Sequence, residues 1–415
     1  MFSSPSSNRR MASPTVANAA RPGLSASSGV WCRQRFVAVA GILFWLVVHT
    51  PAGGTQFFES EPNEPKFDHF NVIQPFAAGD AIIGNSTGGV TTPGTNSADY
   101  FLIEMQTNAP GIYRHRIVLT SPTSGHIGRL RGLNQISGEI SAGSDAPVQT
   151  STANTSPPRM NQFYTFGGAS LLFYRVEGSV STTSNYTATL ESQAVTPVDL
   201  GAFDSGSITM TWQGQGHSTD TDIWVYDQNF NALPGYGNDD LSGSVFTSYL
   251  VRDFPGGRYY LAVSDSNLAN HLASPNDDAY RNAPVMDYPG VAANSLTTSG
   301  LDLAFTISNG KRSVPVASTK AGPFDINWFV FQVTFKPTIT NIVQSGSHVV
   351  MSGSGGPAGR PYYVLSSTSL TAPPNNWTST LTNVFDAEGR FACTNAILAG
   401  DTQRFFQLSV PPVSP

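Results

Sequence analysis

Polar oxygen-bearing side chains surround a short apolar run in STDTDIWVYDQNFNALPGYGNDD, residues 218–240. They are Asp220, Asp222, Asp227, Asn238, Asp239 and Asp240. Three interpretations suit these residues. They could form a metal-binding loop, a catalytic carboxylate pair, or the solvated end of a hairpin, where Asp and Asn cap turns. A catalytic pair is disfavoured, because the nearby sequence offers neither apolar surroundings to raise one pKa nor a partner base. The hairpin end is therefore the preferred interpretation, and a metal loop is the alternative.

A second polar group follows the start of the apolar patterning. Glu59, Glu61 and Asn63 alternate along a segment that Pro62 and Pro65 should keep extended. Alternation places the three side chains on one face of an extended chain. Calcium prefers six to eight hard oxygen ligands, so this face could contribute to a calcium site. The alternative is a solvated acidic linker.

Sequence patterns for hydrolytic chemistry are weak. The string GNSTG (84–88) fits the nucleophile-elbow pattern, but it lies in a Gly/Thr-rich loop with no helix after it. The histidines show no zinc-binding spacing. A hydrolase remains the weaker alternative, and its candidate residues in the 267–327 segment are His271, Asp277, Asp278 and Asp287.

Aromatic side chains offer a second way to bind a ligand. Trp224, Tyr226 and Tyr236 are the candidate binding residues, because exposed aromatic rings stack on sugars or contact fibrous protein. Core packing is the alternative for every aromatic residue here. Trp224 and Tyr226 should share a strand face with Asp222, opposite Ile223 and Val225.

The elements that position these residues are short strands. Period-two apolar runs recur from Gln56 onward, separated by Gly, Asn, Ser, Thr and Pro. Strands without intervening helices predict an all-β fold of antiparallel sandwiches. The order of runs repeats, which predicts related jelly-roll-like sandwiches at 57–193 and 194–336, the second with a surface insertion at 267–327. Residues 338–412 have the size of an immunoglobulin-like sandwich. Its expected core is Tyr363, Leu365, Trp377, Phe391, Phe405 and Leu408.

Several of these runs resemble the bacterial pre-peptidase C-terminal domain. They are ESEPNEP (59–65), ADYF (98–101), TDIWVYD (221–227), GNDD (237–240) and FPGGRYYLAVS (254–264). The motifs GRPYYVLSSTSL, NWTS, FDAEGRF and QRFFQL make the last unit similar to C-terminal modules of secreted planctomycete and verrucomicrobial proteins.

The resemblance implies jelly-roll-like modules of secreted proteins, some binding collagen or polysaccharide and some calcium. It adds Asp99, the acid before Tyr-Phe, to the candidate metal ligands Glu59, Glu61 and Asn63. The chain departs from the family pattern at Ser97-Ala98, where another acid often stands, and the GRLRGLN of the first copy replaces the acidic strand.

The first 53 residues have the features of a secretory leader. Arg33 and Arg35 precede the 13-residue apolar run Phe36–Val48, which small residues follow. A membrane-spanning helix needs about 20 residues, so an uncleaved anchor is the lesser alternative. The remaining chain has 17 basic and 28 acidic residues, which disfavours nucleic acid and anionic lipid as partners. Cys393 is then the single cysteine, so no disulfide can form within that chain.

These observations together predict a secreted, non-catalytic binding or adhesion protein. Its sandwiches would contact an extracellular polysaccharide or fibrous protein, with calcium as a possible cofactor. A structural component of a cell-surface assembly is the alternative, since low charge and repeated sandwiches with exposed sheet edges suit it. The oligomeric state stays open.

Overall fold

A computed structural model describes residues 53–63, 70–87, 97–122, 126–131, 135–136, 139–140, 149–151, 159–178, 182–266, 268–270 and 290–410. Residues 52–415 form one compact unit. Its regular structure is almost entirely β, which confirms the predicted all-β fold of stacked sandwiches. Among the described residues, no helix has the length and apolar character that a membrane crossing requires.

The first sandwich pairs two five-stranded sheets. Its strands are β1 (Gln56–Phe58), β2 (Asn71–Phe76), β3 (Ala81–Gly84), β4 (Ala98–Met105), β5 (Ile112–Thr120), β6 (His126–Arg131), β7 (Gln135–Ile136), β8 (Glu139–Ile140), β9 (Gln149–Ser151), β10 (Met160–Thr165), β11 (Leu171–Gly178) and β12 (Tyr186–Val195). The sheets have the orders β1-β3-β12-β5-β10 and β2-β4-β11-β6-β9, while β7 pairs with β8. Pairing is antiparallel except for β1 with β3 and β2 with β4.

Alternating side chains explain why these segments form facing sheets. Ile117 and Leu119 of β5 are buried, while the residues beside them are at least partly exposed. They join Phe101 and Ile103 of β4 from the opposite sheet in one apolar cluster. Alternate residues of β5 thus point into the core, as period-two patterning requires.

The second sandwich has a five-stranded and a four-stranded sheet. Its strands are β13 (Val198–Asp204), β14 (Gly206–Thr211), β15 (Thr221–Tyr226), β16 (Ala232–Asn238), β17 (Tyr249–Phe254), β18 (Gly257–Asp265), β19 (Leu268–Ala269), β20 (Ala293–Asn294), β21 (Phe305–Ser308), β22 (Ser313–Val316) and β23 (Asn327–Thr334). The orders are β13-β23-β18-β15-β16 and β17-β14-β21-β22, and β19 pairs with β20.

The two sandwiches share their strand pairing but not their chain order. The sheet β13-β23-β18-β15-β16 corresponds to β2-β4-β11-β6-β9, including the parallel first pair. Likewise, β22-β21-β14-β17 corresponds to β3-β12-β5-β10. The equivalents of β3 and β4 come last in the second sandwich, whereas in the first they precede β5. The second sandwich therefore has a permuted chain order, in which the equivalents of β3 and β4 move to the end while β13, the equivalent of β2, stays first.

The permutation corrects the interpretation of residues 267–327 as an added surface insertion. In their described part, β21 and β22 complete the second sheet, so this region supplies structure that the sandwich needs. The sequence comparison matched the last strand of each copy by its order along the chain. Hydrogen bonding instead places β23 where β4 lies and β21 where β12 lies.

The third sandwich contains two three-stranded sheets. Its strands are β24 (Thr338–Ser345), β25 (His348–Ser354), β26 (Pro361–Ser367), β27 (Thr378–Val384), β28 (Phe391–Ala396) and β29 (Phe405–Ser409), with a 3-10 turn at Pro374–Asn376. The sheet orders are β24-β25-β28 and β27-β26-β29.

The core of the third sandwich differs from the predicted one. Its buried side chains are Met351, Tyr362, Val364, Phe385, Phe391 and Cys393, with Leu408 packed at the margin. Tyr363, which the sequence placed in the core, is 36% exposed, and the buried residues of β26 are its neighbours Tyr362 and Val364. Both faces of β26 are apolar, so alternation alone does not decide which face points inward.

Candidate metal centre

The segment that follows β1 brings Glu59 to the end of β3. The Glu59 N–H donates to the Ile83 carbonyl at 2.9 Å, which extends the pairing of β1 with β3. The Asn85 N–H then donates to Glu59 Oε1 at 2.7 Å. The backbone at the ends of edge strand β1 and its neighbour β3 therefore holds Glu59 in place.

Three of the four predicted metal ligands meet at this edge. Carboxylate oxygens of Glu59, Glu61 and Asp99 lie within 4.8 Å of one another, and these residues are called the carboxylate cluster below. Asp99 is 1% exposed, Glu59 is half-buried and Glu61 is exposed. The cluster thus runs from the protein interior to solvent, which gives an ion a route of entry.

The fourth predicted ligand, Asn63, lies beside the cluster with its side chain unsatisfied. Its carbonyl accepts a hydrogen bond from the N–H of Tyr100, the residue after Asp99, and its own N–H donates to Glu61 Oε2. Asn63 is fully buried, yet neither its side-chain oxygen nor its nitrogen has a hydrogen-bond partner among the described residues. Burying a polar group without a partner is costly, so the oxygen of this side chain could serve as a further ligand beside the carboxylates.

Tyr186 and Gly84 complete the site, and the sequence did not predict either. The Tyr186 hydroxyl donates to Asp99 Oδ2 at 2.7 Å and lies 3.4 Å from Glu59 Oε2. A methyl group at Gly84 would collide with the Glu59 carboxylate and the Tyr186 hydroxyl. Tyr186 is far away in sequence and Gly84 ends a strand among many glycines, so neither carried a local signal.

Burial and mutual repulsion change the ionisation of these carboxylates. Burial, with the nearby Glu59 carboxylate as the second cause, raises the pKa of Asp99 from 3.8 to about 8. Burial also raises the pKa of Glu59. Without a cation, the cluster favours a proton over full ionisation near neutral pH. A divalent cation would remove that preference by neutralising the charges.

A second acidic group lies in the second sandwich. Asp220, Asp239 and Asp240 also bring ligand oxygens within 4.8 Å of one another. Burial, then the charge of Asp239, raises the pKa of Asp220 to about 6. The sequence missed this effect because burial is not visible in the local pattern and Asp265, which also raises the pKa, lies outside the stretch.

The remaining acids of the opening stretch have structural partners. Asp227 accepts hydrogen bonds from the backbone of Asn229 and Asn231 in the turn that follows β15. Asp222 is buried and accepts the N–H of Leu268 at 2.8 Å. The hairpin-end interpretation thus fits Asp227, and Asp222 instead anchors the β18–β19 connection.

Two of the three candidate binding aromatics are not at the surface. Trp224 and Tyr226 are each 1% exposed. They belong to an apolar cluster that also contains Ile112 and Tyr164 of the first sandwich. The predicted role of Trp224 and Tyr226 in ligand contact is therefore wrong: the face that they share packs against the other sandwich, while Ile223 and Val225 fill their own core.

Tyr236 is the third candidate and is half-buried. Its hydroxyl donates to the Asp253 carbonyl at 2.7 Å, and its ring packs edge-on against Phe254 with centroids 5.1 Å apart. Burial raises its pKa. These contacts hold Tyr236 against the sandwich and leave only part of the ring for a ligand.

Other predicted residues lie outside the described part of the chain. They are His271, Asp277, Asp278 and Asp287 of the hydrolase alternative, Gly88 of GNSTG, and residues 1–52 of the leader.

The fold and the site define a class: an all-β protein of stacked sandwiches with a buried carboxylate cluster at one sheet edge. No family model matches the chain, and a search of curated proteins finds no match either.

Proposed function

We propose that this chain is a secreted, non-catalytic binding protein whose first sandwich is stabilised by calcium. The observation that carries the proposal is the carboxylate cluster next to the unsatisfied side chain of Asn63. Oxygen donors of this kind are what a hard cation prefers. The residues also agree with the proposed relationship to the pre-peptidase C-terminal domain.

Glu59, Glu61 and Asp99 would hold the ion, with the side-chain oxygen of Asn63 as a further ligand. Bound calcium would offset the repulsion between the carboxylates and give the Asn63 side chain a partner, which it does not find among the residues that the structure describes. It would also connect the segment after β1 to β4. Strands β1 and β4 belong to different sheets of the first sandwich. The proposed role of the ion is therefore to lock the N-terminal edge of the first sandwich.

Trp224 and Tyr226 are buried and therefore do not offer a surface for polymer contact. The proposed contact surface is on the third sandwich instead. A cleft of about 630 Å³ lies there, lined in part by Val384, Asp386 and Arg390. Val384 is 52% exposed, and the Arg390 side chain is 62% exposed while it pairs with Asp386 at 3.0 Å. An apolar surface beside hydrogen-bonding charged groups suits contact with sugar hydroxyls or peptide groups.

Co-sedimentation with insoluble cellulose, chitin and fibrillar collagen tests the binding role. We expect the full-length secreted protein to be retained on at least one polymer, and Arg390→Ala to weaken that retention. Lys311→Ala is the matched control, since Lys311 is an exposed basic residue of the second sandwich with 77% of its side chain accessible. No retention on any polymer, or equal retention of all three proteins, would remove the proposed binding role.

A structural role in a cell-surface assembly is the second candidate, and the edge strand β24 favours it. Ile342 and Val343 on this strand are 57% and 50% exposed. An exposed edge with apolar side chains is a template for pairing with another chain. Concentration-dependent association in analytical ultracentrifugation, abolished by Ile342→Lys, would favour this candidate over polymer binding.

A further inference from the structure

Three polar side chains come together deep inside the second sandwich, away from the carboxylate cluster. Asp265 ends β18, Asn294 ends β20, and Lys320 lies in the connection from β22 to β23. Asn294 and Lys320 are fully buried and Asp265 is 3% exposed. Lysine is rarely buried to this extent, and nothing in the proposed binding function requires it here.

The lysine amine lies directly against both of the other side chains. Lys320 Nζ is 2.5 Å from Asp265 Oδ1 and 3.1 Å from Asn294 Oδ1, and it also contacts the Leu296 carbonyl at 3.2 Å. The amine thus contacts both the carboxyl group and the carboxamide directly.

The carboxamide of Asn294 is held rigidly in that position. Its Nδ2 donates to the backbone carbonyls of Asp265 and Ser266, at 2.9 and 3.2 Å. Its Oδ1 accepts the N–H of Leu296 at 2.9 Å. A backbone N–H on a carbonyl oxygen is the arrangement that stabilises negative charge when a nucleophile adds to the carbonyl carbon.

The surroundings favour an uncharged amine. Burial lowers the pKa of Lys320, although Asp265 beside it acts in the opposite direction. Burial raises the pKa of Asp265. Both effects transfer the shared proton from Nζ towards the carboxyl group, and a desolvated neutral lysine is a nucleophile.

We infer that Lys320 and Asn294 join in an intramolecular amide bond, with Asp265 as the proton carrier. The lone pair of Nζ attacks Cγ of Asn294, and the Leu296 N–H stabilises the charge on Oδ1. The Asp265 carboxyl group gives its proton to Nδ2 and takes one from Nζ. The Nζ–Cγ bond forms, the Cγ–Nδ2 bond breaks, and one molecule of ammonia leaves, so no oxidant or cofactor is needed.

The bond would fasten the β21–β22 hairpin inside the second sandwich. Residues 294 and 320 are 26 positions apart, and this interval contains both strands of the hairpin. A covalent link closing such a loop removes conformational freedom from the unfolded chain, as a disulfide does. It would supply a covalent constraint to a mature chain in which Cys393 has no partner cysteine. This inference does not depend on calcium or on polymer binding.

Mass spectrometry of the folded full-length protein after tryptic digestion tests the bond. We expect one cross-linked species joining the peptide with Asn294 to the peptide with Lys320, uncut after Lys320 and lighter than their sum by one ammonia. Loss of one water instead would place the bond on Asp265 and overturn the assignment to Asn294. Two separate peptides, with normal cleavage after Lys320, would mean that these groups form only a buried ion pair.

Variants check the role of each residue once the wild-type result is known. Lys320→Arg and Asn294→Ala should each abolish the cross-linked species, and Asp265→Asn should leave the peptides unlinked in protein that still folds. Lys311→Arg is the control, because Lys311 is exposed on the same sandwich and should leave the link intact. The wild-type digest decides the question even if a buried variant fails to fold.

Discussion

At the scale of single residues, the sequence predicted ligands better than it predicted their surroundings. Alternation placed Glu59 and Glu61 on one face, and the family resemblance added Asp99; the structure brings these three together. Tyr186 and Gly84 were missed because their contacts span distances that no local pattern encodes. Trp224 was misassigned since an aromatic residue on a strand face gives no sign of which surface covers that face.

The ionisation of Asp99 predicts how stability depends on pH without calcium. Its folded-state pKa is about 8 against 3.8 for the ordinary group, so its favourable contribution is complete below about pH 4 and disappears as pH rises through about 8. We therefore expect the melting temperature of EDTA-treated protein to fall across this range. Calcium should restore more stability near pH 8 than near pH 5, because protons compete with it for the cluster.

Asp99→Asn provides the comparison for this pH dependence. The melting temperature of this variant should fall much less with rising pH and should respond less to calcium. Glu388→Gln is the control and should behave as wild type, because the Glu388 side chain is 62% exposed on the third sandwich. A calcium-free wild type whose melting temperature rises between pH 5 and pH 8 would contradict the raised pKa of Asp99.

A Gly84→Ala variant tests whether the site requires the space that glycine leaves at the end of β3. A methyl group there would displace the Glu59 carboxylate or the Tyr186 hydroxyl. We expect Gly84→Ala to weaken calcium binding in calorimetry by about tenfold, which is ~1.4 kcal/mol. Gly168→Ala is the control, because a methyl group at Gly168 contacts no neighbouring atom and the variant should bind calcium normally. Gly235 is unsuitable as a control because its φ is positive. Unchanged binding by Gly84→Ala would mean that the cluster is not the site.

At the scale of strands, alternation found the elements and failed on their connectivity. Runs such as those of β5 and β15 form strands because one or both of their faces are apolar, and local residues reveal this. The partner of each strand depends on hydrogen bonding between distant segments. Matching by chain order therefore equated β23 with β12, although β23 pairs as β4 does.

Trp224 on β15 provides a measurable consequence of the sandwich-to-sandwich packing. Trp224→Ala removes a fully buried ring from this interface, which should cost about 3–5 kcal/mol of the free energy of unfolding. Leu370→Ala, at a residue 67% exposed, should change it by less than about 0.5 kcal/mol. Urea unfolding followed by circular dichroism gives both values. A cost at Trp224 as small as that at Leu370 would contradict its burial.

At the scale of the whole molecule, the first two sandwiches share an apolar core. The third has its own core cluster. Tyr164 and Ala292 exchange backbone hydrogen bonds between the first two, and Gln162 Nε2 donates to Asp325 Oδ1 at 2.8 Å. The sequence did not indicate this contact, because its residues are spread over both copies.

Shared packing predicts the unfolding behaviour of the chain. Scanning calorimetry should show the first two sandwiches melting in one transition that calcium moves upward, and the third in a separate transition that calcium leaves in place. Separate melting of the first two sandwiches, with calcium acting on one alone, would contradict their energetic coupling through this core.

Isothermal titration of calcium into the full-length protein tests the central claim most directly. The wild type should bind one calcium ion more per chain than a Glu59→Ala/Glu61→Ala double variant, and its melting temperature should rise with calcium while that of the variant changes little. Equal heats for the two proteins, or no heat and no thermal shift in the wild type, would contradict a calcium site at this sheet edge.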